Sequence, residues 1–196
     1  MSEPLLFVLS GPSGVGKDAV VSRLKEKEPD LFFIVTSTTR PPRPGEVEDK
    51  DYHFVNEPRF KEMQARGELL EWAQVYGHWY GVPRAPVERA LDGGKDIFIK
   101  TDVQGAATIK RLVPHAILIF LTAPSQDELA RRLGQRRSES MEQLETRMAA
   151  ATREQESLPL FDYLVVNQDL RVAVSQIQAI ITAERCRVVG RRAELG

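Results

Sequence analysis

Eight residues near the amino terminus have the makings of a phosphate cradle: Gly11-Pro12-Ser13-Gly14-Val15-Gly16-Lys17-Asp18. The spacing is G-x-x-x-x-G-K. Glycines so placed let backbone N–H groups converge on phosphate oxygens, and a helix that starts there adds the positive end of its dipole. Lys17 is set to reach the outer phosphates of a nucleoside triphosphate. A glycine-rich turn before a lysine also arises without any ligand, so context decides. Here an apolar run over residues 5–9 precedes the loop and a helical pattern follows it. A loop of this type ordinarily ends in Ser or Thr, whose hydroxyl binds Mg²⁺; this chain has Asp18. A carboxylate suits Mg²⁺ by type, yet it sets a negative charge beside a polyphosphate. Asp18 therefore binds the metal directly, binds it through water, or caps the helix, where an acidic first turn is favoured.

A second cluster of charge-bearing residues lies in the stretch Thr36-Ser37-Thr38-Thr39-Arg40-Pro41-Pro42-Arg43-Pro44-Gly45, with Tyr52 shortly after. Two guanidinium forks beside hydroxyls suit a phosphate dianion. Taken alone, the same residues also describe a solvated basic turn. His53, His78 and His115 are scattered and read as structural; Trp72 and Trp79 read as packing residues. Cys186 is the single cysteine, which excludes an internal disulfide framework and a cysteine-rich zinc site and suggests a reducing compartment.

The elements that must position these residues follow from apolar patterning. A continuous apolar run at 5–9 reads as a strand buried on both faces, 32–35 as a second strand, and the runs 97–99, 116–121 and 163–166 as core strands. Helical patterns separate them, over 16–28, over 103–112, after the capping-box pair Ser125 and Glu128, and from about 169. Strands alternating with helices predict an α/β fold with a parallel sheet and crossovers. Two stretches break the plan. Residues 36–95 mix turns, short aromatic strands and two short helices, and read as an inserted α+β lobe. Residues 134–157 are highly charged, with Arg136 and Arg137 ahead of a helix marked by Met141, Leu144 and Met148, and read as a flap. The 196 residues fit one domain. A net charge of -1 argues against a general nucleic-acid coat. The longest apolar run, 116–122, is too short to span a bilayer, and no signal peptide is expected.

The segments GPSGVGKD, TSTTRPPRPGEVEDKDYHF, LLEWAQVYGHWYGVP, DVQGAATIK, and RRLGQR followed by FDYLVVN run in order from residue 5 to about 187. Together they resemble the guanylate kinase family. The resemblance implies a single domain: a P-loop core (4–35, 96–133 and 158–190), a GMP-binding lobe (36–95) and a helical lid (134–157). It implies an ATP:GMP phosphotransferase that uses Mg²⁺, takes dGMP as a further acceptor, works in the cytoplasm and has neither nucleic acid nor membrane as partner. Residue by residue, Gly11 to Asp18 would hold ATP, with Asn167 near its adenine. Arg40, Arg43, Tyr52 and Tyr80 would hold the GMP phosphate, with Thr36 where the family usually has Ser. Glu71 would face the guanine edge. Asp102 would sit near the guanine and the Mg²⁺ water shell, making it and Asp18 the metal-side carboxylates. Lys17, Arg132, Arg136 and Arg147 would be catalytic, the arginines arriving from the lid side.

Residue chemistry agrees with part of this independently. Guanine presents N1–H and N2–H₂ donors side by side, which one ionised carboxylate accepts, whereas adenine presents an acceptor there; Glu71 is thus a discriminator by type. Asp102 follows Phe98-Ile99-Lys100-Thr101, at the carboxyl end of a buried strand, where open α/β sheets bind ligands. The chain also departs from the family. Asp18 replaces Ser or Thr, and Val82 stands where a hydroxyl commonly contacts guanine O6. Lys100 stands where an acidic residue often precedes the Asp by two, and Arg137 replaces a common lid glycine. The rival readings are a guanylate-kinase-like phosphopeptide-binding module and a related small-molecule phosphokinase. An intact loop with Lys17 argues against the first, and Glu71 against the second.

Overall fold

The apolar run at the amino terminus becomes the central strand of a parallel sheet. The computed structural model describes residues 3–134 and 141–187, apart from the side chains of 141–145 and Arg147. β1 (Leu6–Ser10) leads through the glycine loop into α1 (Lys17–Lys27) and β2 (Phe32–Phe33). The inserted part comprises β3 (Ser37–Thr38), β4 (His53–Phe54), α2 (Glu57–Ala65), β5 (Leu69–Val75), β6 (His78–Pro83) and α3 (Arg84–Asp92). The chain returns with β7 (Ile97–Lys100), α4 (Val103–Leu112), β8 (Ile117–Thr122), α5 (Gln126–Gly134) and α6 (Met141–Gln155). A 3₁₀ turn at Leu158–Leu160, β9 (Tyr163–Val166) and α7 (Leu170–Arg185) complete it.

Strands β2-β7-β1-β8-β9 form one all-parallel sheet, and β4-β3-β6-β5 form a second, mixed sheet. β1 shows why the first sheet needs no alternation of polar and apolar residues. Its Phe7 and Leu9 pack on one face with Val20 and Leu24 of α1, Leu129 and Leu133 of α5, and Val174, Ile177 and Ile181 of α7. Leu6 and Val8 pack on the other with Val87 of α3 and Ala106 and Ile109 of α4. Each large apolar side chain buried this way contributes roughly 1.5–3 kcal/mol. The helices start on side-chain caps: Asn56 for α2, Asp102 for α4 and Asp169 for α7.

Four expectations need correction. The run at 163–166 forms a strand, but β9 lies at the sheet edge, with Val165 buried and Leu164 and Val166 exposed. The Ser125–Glu128 pair forms half a capping box: Ser125 Oγ accepts from Glu128 N at 3.1 Å, but the Glu128 carboxylate turns to Arg131 and Arg132 instead. The strand expected over 32–35 ends at Phe33, where the chain leaves for the second sheet. Trp79 packs, stacked on Phe60 with 6.0 Å between centroids, but Trp72 is 45% exposed on the outer face of β5.

What matters for function is the neighbourhood of β1 and β7. They pair in parallel with Leu9 opposite Lys100, so the glycine loop after β1 and residues 100–102 after β7 emerge at one edge. The order also reverses at β1, since the chain fills β2 and β7 on one side before β8 and β9 on the other. That is the place where open α/β sheets form a ligand crevice. Among the described residues, no helix is long and apolar enough to cross a membrane.

Candidate active site

The glycine loop is shaped by backbone that other residues resist. Gly11 has φ 136°, and a Cβ there would lie 2.0 Å from the carbonyl oxygen of Leu121. Gly14 and Gly16 also have positive φ, and α1 begins at Lys17 immediately beyond. Lys17 Nζ folds back to donate to the carbonyls of Gly11 and of Pro12, the latter at 3.0 Å. Burial pushes its pKa below the usual lysine value, against the opposing pull of Glu154, Asp18 and Asp102. Gly11, Ser13, Gly14, Gly16, Lys17 and Asp18 all line one cavity of about 830 Å³.

The inserted lobe supplies the facing wall. Thr36, Arg40, Arg43, Tyr52, Glu71 and Tyr80 line the same cavity. Prolines and a glutamate shape the arginine turn: Arg40 Nη2 donates to Glu46 Oε1 at 2.8 Å, and Arg43 N donates to Glu46 Oε2 at 2.6 Å. Arg40 is buried, with its guanidinium carbon 5.4 Å from the Tyr52 ring centroid and its Nε without a hydrogen-bond partner among the described residues. The Tyr52 and Tyr80 rings meet edge to face at 6.1 Å. Two cationic forks and two phenols thus converge, the arrangement a phosphate dianion requires.

Glu71 lies deeper, 2% exposed. Its Oε1 accepts from Thr101 Oγ1 at 2.8 Å, and its Oε2 is buried without a hydrogen-bond partner among the described residues. Burial first, and the negative charge of Asp102 second, push its pKa up to about 8, while the Thr101 hydroxyl pulls the other way. Gly105 on α4 makes room for this group: a Cβ there would lie 2.3 Å from Thr101 Oγ1 and 2.7 Å from both Glu71 oxygens. Asp102 caps α4 with Oδ1, accepting from Gln104 N at 2.7 Å and Gly105 N at 3.1 Å, and keeps Oδ2 buried without a partner among the described residues.

Other residues singled out in the sequence sit elsewhere. Arg132 does not line the cavity. It donates to Glu128 Oε1 at 2.7 Å, to the Asn167 carbonyl at 2.8 Å and to the Val15 carbonyl at 3.4 Å, so it holds the loop from behind rather than reaching into the cavity. Asn167 is also away from the lining and buried, and its Nδ2 donates to the Val15 carbonyl at 2.8 Å. Val15 and Pro12 are loop residues outside the lining; Val15 is wholly buried in the core. Val82 is wholly buried in the apolar cluster beneath the lobe and presents nothing to the cavity. Arg136 and Arg137 lie outside the described residues, as does the side chain of Arg147 on α6.

Sequence reasoning gave no role to Glu46, Thr101, Gly105 or Lys100, all of which shape or line the site. Asp18 has a partner that none of the three readings named: Lys100 Nζ lies 2.5 Å from its Oδ1.

A family model, guanylate kinase, matches residues 3–184. The chain belongs to the guanylate kinase family. It is 50% identical over 182 residues to the guanylate kinase of Thermus thermophilus, covering 93% of this chain and 82% of that one. It is 45% identical over 189 residues to guanylate kinase 2, chloroplastic/mitochondrial, of Oryza sativa, covering 95% and 66%. The crystal structure of guanylate kinase from Anaplasma phagocytophilum superposes with a TM-score of 0.82 at 33% identity, covering 100% of this chain and 93% of that one. A shikimate kinase structure from Bacteroides thetaiotaomicron, TM-score 0.50 at 14% identity, shares the fold alone.

Proposed function

We infer that the protein transfers the γ-phosphoryl group of ATP to GMP, giving ADP and GDP. One observation carries this beyond family membership: a phosphate loop, a twin-arginine cradle and a buried carboxylate with an oxygen unpartnered among the described residues share one cavity. ATP takes the loop, with Lys17 leaving the Gly11 and Pro12 carbonyls for the outer phosphates. Arg40, Arg43, Tyr52 and Tyr80 take the GMP phosphate. Glu71 takes the guanine N1–H and N2–H₂, while Thr36 lines the same lobe.

The acceptor is a phosphate with a second pKa near 6, so it is mostly dianionic at neutral pH and needs no side-chain base. Catalysis reduces to alignment and charge neutralisation. Arg136 and Arg147 add cations from the lid side. Mg²⁺ fits the site, because Asp102 Oδ2 is a hard oxygen acceptor, buried and unpartnered among the described residues. Asp102 would hold it, directly or through water; Asp18, whose Oδ1 is taken by Lys100, is the weaker candidate. When bound, the ion neutralises charge on the ATP phosphates. A reducing cytoplasm, suggested by a single free cysteine, would supply both nucleotides. A phosphopeptide module has no use for a half-buried Lys17 at a glycine loop or a buried Glu71. The deciding experiment is ADP release with ATP against GMP, dGMP, AMP, CMP and UMP. GMP and dGMP should turn over, and AMP should be at least about 10³-fold poorer above pH 8, where Glu71 is ionised and adenine N1 sets an acceptor against the carboxylate. Equal turnover of AMP would remove the reading.

The acidity of Glu71 makes GMP binding pH-dependent. Its carboxyl is mostly protonated at pH 7, yet it must be ionised to accept from both guanine donors, so binding expels a proton below pH 8. GMP affinity should rise from pH 6 to 8 by up to about tenfold per unit and level off above. Calorimetry at pH 7 in buffers of different ionisation heat should record proton release on GMP binding and none on ATP binding. Flat GMP affinity over this range would contradict it.

Asn167 and Arg132 act through the loop. Asn167→Ala removes the Val15 contact and should cost about 1–2 kcal/mol of stability. It should also weaken both ATP and inorganic tripolyphosphate as inhibitor. A variant that weakens ATP and leaves tripolyphosphate untouched would return Asn167 to the adenine.

A further inference from the structure

Two departures from the family pattern, 82 residues apart in sequence, touch in the folded chain. Asp18 follows the loop lysine where a hydroxyl is usual, and Lys100 ends β7 where an acidic residue is common. Lys100 Nζ lies 2.5 Å from Asp18 Oδ1. The same ammonium lies 4.0 Å from the centroid of the Tyr52 ring, and Tyr52 Oη donates to Asp18 Oδ1 at 3.4 Å. Its side chain is 12% exposed and lines the cavity. This cation therefore stands between Lys17's neighbour on the ATP side and a tyrosine of the cradle on the GMP side.

We propose that Lys100 is a further catalytic residue, its ammonium contacting the phosphoryl group as it passes between the nucleotides, and that Asp18 is the positioning residue that holds it there. The proposal rests on the ATP:GMP reading. In the transfer, an acceptor phosphate oxygen forms the new bond to the γ-phosphorus. The bond from that phosphorus to the β–γ bridging oxygen breaks, its electron pair leaves with ADP, and no proton moves. Charge on the three equatorial oxygens persists throughout, so a fixed cation midway assists the passage. An ammonium has three N–H donors. Asp18 takes one and the Tyr52 ring faces another, which leaves one for a phosphoryl oxygen. Opposite charges on Asp18 and Lys100 also explain why both positions depart together: either alone would leave an unpaired charge beside the polyphosphate.

The test uses the intact enzyme with ATP, GMP and Mg²⁺. Wild-type protein must first release ADP in a GMP-dependent way; failure there overturns the ATP:GMP reading itself. K100M should then lower kcat by about 10²-fold with GMP affinity, measured by calorimetry, within about threefold. K100R should recover at least about tenfold of the loss, because a cation returns. D18N should lower kcat by about tenfold, and D18N/K100M should be no worse than K100M, since Asp18 acts through Lys100. Thermal melts check folding, and K100Q, which keeps a polar end for Asp18, replaces K100M if that variant is unstable. A folded K100M or K100Q within about threefold of wild-type kcat overturns the catalytic role, and multiplicative losses in the double variant overturn the positioning role of Asp18.

Discussion

Lys17→Ala is expected to fold and to lose turnover by about 10³-fold, the largest single loss in the loop. The side chain stands at the start of α1, where three glycines with positive φ turn the backbone towards the ligand. Burial already lowers its pKa, which shows that the protein holds this ammonium at a cost. The two carbonyls it bonds, on Gly11 and Pro12, belong to the loop itself. Removing the ammonium gives up these bonds and also lifts the desolvation cost. The change in stability should therefore stay within about 1–2 kcal/mol. Turnover has no such compensation, because Lys100, the cation next to the loop, is tied to Asp18 and does not take the place of Lys17 on the outer phosphates. Steady-state ADP release beside a thermal melt separates the two effects. A folded Lys17→Ala protein with near wild-type turnover would end the kinase reading.

The phosphate loop was legible in sequence because it is local: strand, glycines, lysine and helix lie within a dozen residues, and backbone conformation alone fixes their use. The parallel sheet was legible because β1, β7 and β8 are buried on both faces and read as apolar runs. The second sheet was harder. β3 and β4 hold two residues each, too few for any periodicity; residue types grouped Arg40 and Arg43 with Tyr52, and the motif resemblance was needed to add Tyr80. Arg132 and Asn167 have the right types for phosphate and adenine, but contacts to Glu128 and to the Val15 carbonyl, invisible in sequence, decide where they point. Asp18 and Lys100 were noticed as two separate oddities. Only the parallel pairing of β1 with β7 makes them one ion pair.

Glu71→Gln is expected to reduce kcat/KM for GMP by about 10²–10³-fold while the KM for ATP stays within about twofold. The wild-type group has two acceptor oxygens: Oε1 receives the Thr101 hydroxyl, and Oε2 is held in the cavity wall without a partner among the described residues. A glutamine has one acceptor. If that oxygen stays on Thr101, the amide N–H₂ faces the guanine N1–H and N2–H₂, donor against donor. If it turns to the guanine, the amide N–H₂ donates to the Thr101 oxygen, but the Thr101 proton loses its acceptor and one oxygen must serve both guanine donors. Either way one buried polar contact fails and the negative charge is gone. The variant should also abolish the pH dependence of GMP binding, since the group that releases the proton is no longer there.

Stability should move in the opposite direction, which guards against mistaking a damaged fold for a lost contact. Glu71 has a folded-state pKa of about 8, above the usual carboxylate value. A carboxyl with a raised folded pKa is bound to its proton more tightly in the folded chain, so the free wild-type protein loses stability as pH rises from the ordinary carboxylate range to about 8, and this loss is complete above it. Glutamine carries no such proton and is nearly isosteric. Without nucleotide, Glu71→Gln should therefore melt at least as high as wild type at pH 7 and higher at pH 9. GMP kinetics unchanged in a variant that melts this way would remove the basis for calling the site guanine-specific, whatever the phosphate loop does with ATP.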